Sequence, residues 1–90
     1  MRKIHEQITR ETWMKNSLHA GDRHCLVGWL MLVHSTWDQH VRNIRNVGKA
    51  IEVLYPERVG VTGKAFLAGF NDHPETTFED VLRVLKVADV

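Results

Sequence analysis

Nine consecutive residues, Cys25-Leu26-Val27-Gly28-Trp29-Leu30-Met31-Leu32-Val33, carry no charged or strongly polar side chain. Wound as a helix, the run puts Cys25, Trp29 and Leu32 on one side. Leu26, Leu30 and Val33 take a second side, Val27 and Met31 a third. A helix apolar all round belongs inside a protein, so the rest of a short chain must be arranged around it. Crossing a bilayer takes about 20 apolar residues. Arg23 and His24 precede the run and His34 follows it, so no membrane span is expected. A buried strand is the rival reading, because periodicity alone does not separate the two. Leu, Met and Cys outnumber the β-branched residues, and the run is long for a strand. These cues favour a central helix over about residues 23–34. Gly28 inside it costs about 1 kcal/mol against alanine, which predicts close approach of a neighbouring helix.

The flanking segments have more one-sided patterns. Residues 1–8 read either as a helical segment with Ile4 and Ile8 on one face or as a loose arm. Thr9 fits the N-cap of a short helix carrying Trp13, Met14 and Leu18, with Ala20-Gly21-Asp22 as its exit. Thr36 and Gln39 have capping-box spacing, with Asp38 in the first turn. Trp37, Val41, Ile44, Gly48, Ile51 and Tyr55 then fall on one helical stripe. The short link at His34-Ser35 suggests that this helix folds back on the central one, and Pro56 ends it. A loop over 57–61 turns at Gly60. Thr62 is the expected cap of a short helix burying Phe66, Leu67 and Phe70, which Asn71-Asp72-His73-Pro74 interrupts. Thr77 and Asp80 cap a last helix burying Phe78, Val81, Leu82, Leu85 and Ala88. The expected fold is all-α: one domain, residues 1–90, forming a compact bundle of four to five helices around the apolar helix.

Composition excludes more than it specifies. Twelve basic residues against eleven acidic give a net charge of +1, so bulk charge makes no case for nucleic acid. One cysteine forbids an internal disulfide. No apolar segment follows Arg2 and Lys3, so no signal peptide is expected. The cytoplasm is the expected location, of a host cell if the gene is phage-borne.

Four marks fall together: Glu11-Thr12-Trp13, Cys25-Leu26-Val27-Gly28 with Leu30, Phe70-Asn71-Asp72-His73-Pro74, and Val81-Leu82 with Leu85. Over about residues 9–88 the chain resembles a small family of uncharacterised helical proteins frequent in actinobacteria and their phages. Trp29, Phe70 and Asn16 depart from that pattern; glycine is usual where Asn16 stands. The resemblance implies a helical fold and a bacterial or phage source, and brings no catalytic residue.

Chemistry can be sought at four places. Cys25 with one of His5, His19, His24, His34, His40 or His73 could make a thiol nucleophile. No nucleophile motif surrounds it, and a cysteine opening an apolar helix is ordinarily packing. His34 with His40, or His24 beside Cys25, lacks zinc-motif spacing. No metal or cofactor is expected. Arg42, Arg45 and Lys49 form a basic stripe, flanked by Asp38 and Glu52, that reads as a solvated face or as a contact surface. Asn71 and Asp72 are turn formers, and the Asp72 carboxylate is expected to accept backbone N–H groups near residues 74–77. The expectation is a small non-enzymatic protein that binds another protein, an accessory or inhibitor of phage or mobile-element origin, for instance of the anti-CRISPR kind. The alternative is a nucleic-acid-associated protein using Arg42, Arg45 and Lys49. The sequence leaves the oligomeric state open.

Overall fold

The structure is a computed structural model that describes residues 2–60 and 65–90. Among the described residues it is mostly helical: α1 (Leu26–Leu32), α2 (Trp37–Leu54), α3 (Phe66–Asp72) and α4 (Phe78–Ala88). A small antiparallel hairpin, β1 (His19–Ala20) with β2 (Arg23–His24), precedes α1. The all-α expectation therefore holds for the body of the chain and fails at this hairpin. No helix among the described residues is long and apolar enough to cross a membrane.

The central helix is shorter than 23–34. Arg23 and His24 pair with Ala20 and His19, and Cys25 becomes the N-cap, its Sγ accepting the Gly28 N–H at 3.4 Å. Leu26, Trp29 and Leu30 are buried, but Met31 and Leu32 are about half exposed (49% and 52%). Seven residues make barely two turns, too few for neighbours to cover every side. Gly28 does admit a close neighbour, but that neighbour is the hairpin. A Cβ there would lie 2.3 Å from the Leu18 carbonyl oxygen and 3.1 Å from the His19 ring.

The expected helix over Thr9–Leu18 does not form. Its cap runs backwards: the Thr9 N–H donates to Thr12 Oγ1 at 2.9 Å, closing a turn. Residues 12–14 then extend beside β2, with His24 N donating to Thr12 O and Met14 N to His24 O. Asn16 takes a φ of +66°, left-handed backbone that stops a helix and that asparagine tolerates better than most residues. The turn at Gly21 (φ +64°) is as expected.

Residues 2–8 are no loose arm. Ile4–Glu6 form a 3₁₀ turn, and Ile4 and Ile8 are buried in the core. The His5 N–H donates to the Val90 carbonyl at 3.0 Å, and Lys3 pairs with Asp89 at 2.6 Å.

The core joins Leu26 and Leu30 of α1 to Val47 and Ile51 of α2, Phe70 of α3, and Val81, Val84 and Leu85 of α4. Thr77 and Asp80 form the expected capping box on α4. Thr36 caps α2 through Gln39 N at 3.1 Å, but the Gln39 side chain reaches the Ser35 N–H instead of closing a box. Tyr55 ends α2 before Pro56, as expected, and Pro56–Arg58 make a further 3₁₀ turn before Gly60 (φ +74°). Asn71 and Asp72 belong to the last turn of α3, and the interruption comes only at His73. The expected cap at Thr62 lies outside the described residues.

Candidate functional site

α2 buries a different face from the one its sequence advertises. Its buried residues are His40, Val47, Ala50 and Ile51. His40 faces inward because its Nδ1–H donates to the Leu30 carbonyl of α1 at 3.0 Å. A polar side chain thus occupies the inner face where the pattern suggested Val41. The expected stripe is buried only at its C-terminal end, at Ile51 and Tyr55. At Gly48 a Cβ would meet Phe66 at 3.7 Å, so α3 covers the stripe there. Its first two turns are less covered: Trp37 is 72% exposed, with its ring 5.3 Å from that of His40, and Val41 and Ile44 are 37% and 38% exposed.

Arg42, Arg45 and Lys49 are all exposed and lie about 100° round the helix from the apolar stripe, away from the core. None of them makes an ion pair among the described residues. Asp38 and Glu52 lie on the same side and are also exposed. The outer surface of α2 therefore joins an apolar strip to a strip of cations.

The other candidates are used internally. Cys25 is buried, as expected, with its sulfur against Gly28 N–H. Asn71 is fully buried. Its Oδ1 accepts the Trp13 indole N–H at 2.7 Å and the Leu26 N–H at 3.1 Å. Its Nδ2 donates to the Met14 carbonyl at 3.0 Å and to Asp72 Oδ1 at 2.9 Å. Asp72 does accept a backbone N–H, but from Asn16 at 2.8 Å, not from residues 74–77. The turn after α3 is served instead by His73 Nδ1, which accepts from Glu75 N at 3.1 Å. Sequence reasoning placed a clasp in this stretch and missed that Asn71 is its centre.

A second polar cluster ties α2 to α4. Asp80 accepts from Tyr55 Oη at 3.1 Å and from Arg58 Nη1 at 2.7 Å, while Arg83 donates to Tyr55 Oη. Burial pushes the Asp80 carboxyl up. Hydrogen bonds from Arg58, the Thr77 N–H and Tyr55 outweigh burial and hold it below 3.8. Burial, then the hydrogen bond to Asp80, raises the Tyr55 phenol above 10.0. No sequence motif marked this cluster, because its members come from three separate segments.

Four of the six histidines form two pairs. His34 and His40 have ring centroids 4.7 Å apart. His19 and His24 approach Nδ1 to Nδ1 at 2.8 Å. Among the described residues no three His, Cys, Asp or Glu side chains gather as a metal site. Three depressions of about 160, 250 and 270 Å³ have neither histidine nor cysteine in their walls. Lys49 lines the one between α2 and α4, with Val53 and Val87.

The chain belongs to DUF6197, a family of unknown function, whose model matches residues 1–89. No curated protein and no solved structure matches it.

Proposed function

We propose that this is a non-enzymatic binding protein that engages another protein through the outer face of α2. The observation that carries this reading is Trp37, 72% exposed and in line with Val41 and Ile44. An exposed tryptophan within an apolar strip loses water-contacting surface when covered, and such residues dominate binding energies. Arg42, Arg45 and Lys49 beside it favour a partner with an apolar patch bordered by carboxylates. An accessory or inhibitory role, in which a small protein occupies a surface of a larger one, is the simplest use of such a face.

A photoreactive amino acid placed at position 37 tests this in the source cells. Cross-linking to one discrete protein from position 37, and not from exposed position 75, is expected. Equal cross-linking from both positions, or none from position 37, would overturn the reading. Nucleic-acid binding through the three cations would instead appear as a salt-dependent shift that survives loss of Trp37.

A further inference from the structure

We propose that His19 and His24 form a binding site for a divalent transition metal of tetragonal preference, copper(II) or nickel(II). The two residues face each other in the hairpin register, with Nδ1 atoms 2.8 Å apart. A metal–imidazole bond is about 2.0–2.1 Å. Two nitrogens in neighbouring positions of a square or octahedral centre therefore lie about 2.8–3.0 Å apart, against about 3.3 Å for a tetrahedron. The observed spacing falls in the former range, which is also the length of the hydrogen bond the two rings make without metal.

Packing fixes both rings before any metal arrives. His24 stands edge-on to Trp29, with centroids 5.2 Å apart and planes at 88°. His19 stands edge-on to His24 at 4.9 Å and 76°. The His19 ring also sits where a side chain at Gly28 would be, its Nδ1 3.2 Å from that Cβ position. The sequence -His-Ala-Gly-Asp-Arg-His- supplies the rest: a tight turn at Gly21 returns the chain so that the two imidazoles pair across it.

Without metal the contact is a hydrogen bond, so one Nδ1 carries a proton and the other does not. Metal entry moves that proton through solvent to Nε2 of the same ring, and both imidazoles stay neutral. No oxidation or reduction is involved. Among the described residues no third His, Cys, Asp or Glu joins the pair, and the Cys25 sulfur is turned to Gly28 N. His19 is exposed, so water fills the remaining positions. The metal would cross-link the two strands of the hairpin.

Copper(II) sulfate, and separately nickel(II) chloride, titrated into the whole protein in a non-chelating buffer tests the site. Copper bound at His24 lies beside Trp29 and should quench its fluorescence. Saturation at one equivalent is expected, with a metal-dependent rise in melting temperature that a chelator reverses. H19Q and H24Q should each weaken binding at least about tenfold, since each removes half of a two-point clamp. H34Q should bind as the wild type does. H24Q could disturb Trp29 packing, so the metal-free melt of each variant is compared, and the exposed H19Q carries the test if H24Q unfolds. Metal binding unchanged in H19Q, or no saturable binding by the wild type, would overturn the proposal.

Discussion

The Trp13 indole N–H donates to Asn71 Oδ1 at 2.7 Å across 58 positions of sequence. The same oxygen takes the Leu26 N–H, the first helical residue of α1, at 3.1 Å. One buried amide thereby fixes the N-terminal loop, the start of α1 and the end of α3 together. Its four hydrogen-bonding positions are all used.

Replacing Asn71 should therefore be among the most damaging single changes. Asn71→Ala strands the Trp13 and Leu26 N–H groups and the Met14 carbonyl, and each unpaired buried group costs about 1–3 kcal/mol. A loss of about 3 kcal/mol or more by urea denaturation is expected. Asn71→Asp should be no milder, because a carboxylate would face the Met14 carbonyl and Asp72 without a donor.

Asn16 and Asp72 test the partner strand of this clasp. Asn16→Ala should cost about 1–2 kcal/mol, the penalty for an ordinary L-residue in the left-handed region, whereas Asn16→Gly should be nearly neutral. Asp72→Ala should cost about 1 kcal/mol, and Asp72→Asn less, since an amide oxygen still accepts from Asn16 N. Equal losses for both Asp72 variants in thermal melts would contradict this role.

Gly28→Ala should destabilise, although alanine ordinarily favours a helix. Its Cβ would lie 2.3 Å from a backbone oxygen, so the hairpin must shift, at a cost of about 1–3 kcal/mol. A melting temperature equal to or above the wild type's would show that the hairpin does not pack there.

Stability should depend on pH through Asp80 and Tyr55. The folded Asp80 carboxyl titrates below 3.8, so its contribution is present above the unfolded value and disappears as pH falls through the folded one. Asp80→Asn should cost about 2 kcal/mol at pH 7, and this difference should shrink as the pH falls below 3.8 and through the folded value. Tyr55 has the opposite sign: with its phenol raised above 10.0, its contribution holds below that pH and is lost as pH rises through the folded value. Urea midpoints of Asp80→Asn and the wild type at neutral and acid pH measure the first effect.

Much of the fold was legible because local chemistry and burial agree over much of the chain. Thr77 and Asp80 cap α4, Thr36 caps α2, Pro56 follows its end, and the apolar run does supply α1. The N-terminal third was misread because its structure is set at long range. Trp13 and Met14 bond Asn71, and Asn16 bonds Asp72, which a local helix pattern does not reveal. The face of α2 was misread for a related reason. His40 looks like a surface residue until the Leu30 carbonyl draws it inward, leaving Trp37, Val41 and Ile44 outside. The basic stripe of Arg42, Arg45 and Lys49 was readable from spacing alone, because all three side chains are exposed among the described residues.

The most direct test of the binding face compares partner capture by the wild type with capture by Trp37→Ser/Val41→Ser/Ile44→Ser. Trp37 is 72% exposed but packs on His40, and Val41 and Ile44 are 37% and 38% exposed. The variant should therefore lose some stability, and capture is compared at a temperature where its own melt shows it folded. Capture of the protein cross-linked from position 37 should fall to background. Undiminished capture by a folded variant would contradict the account.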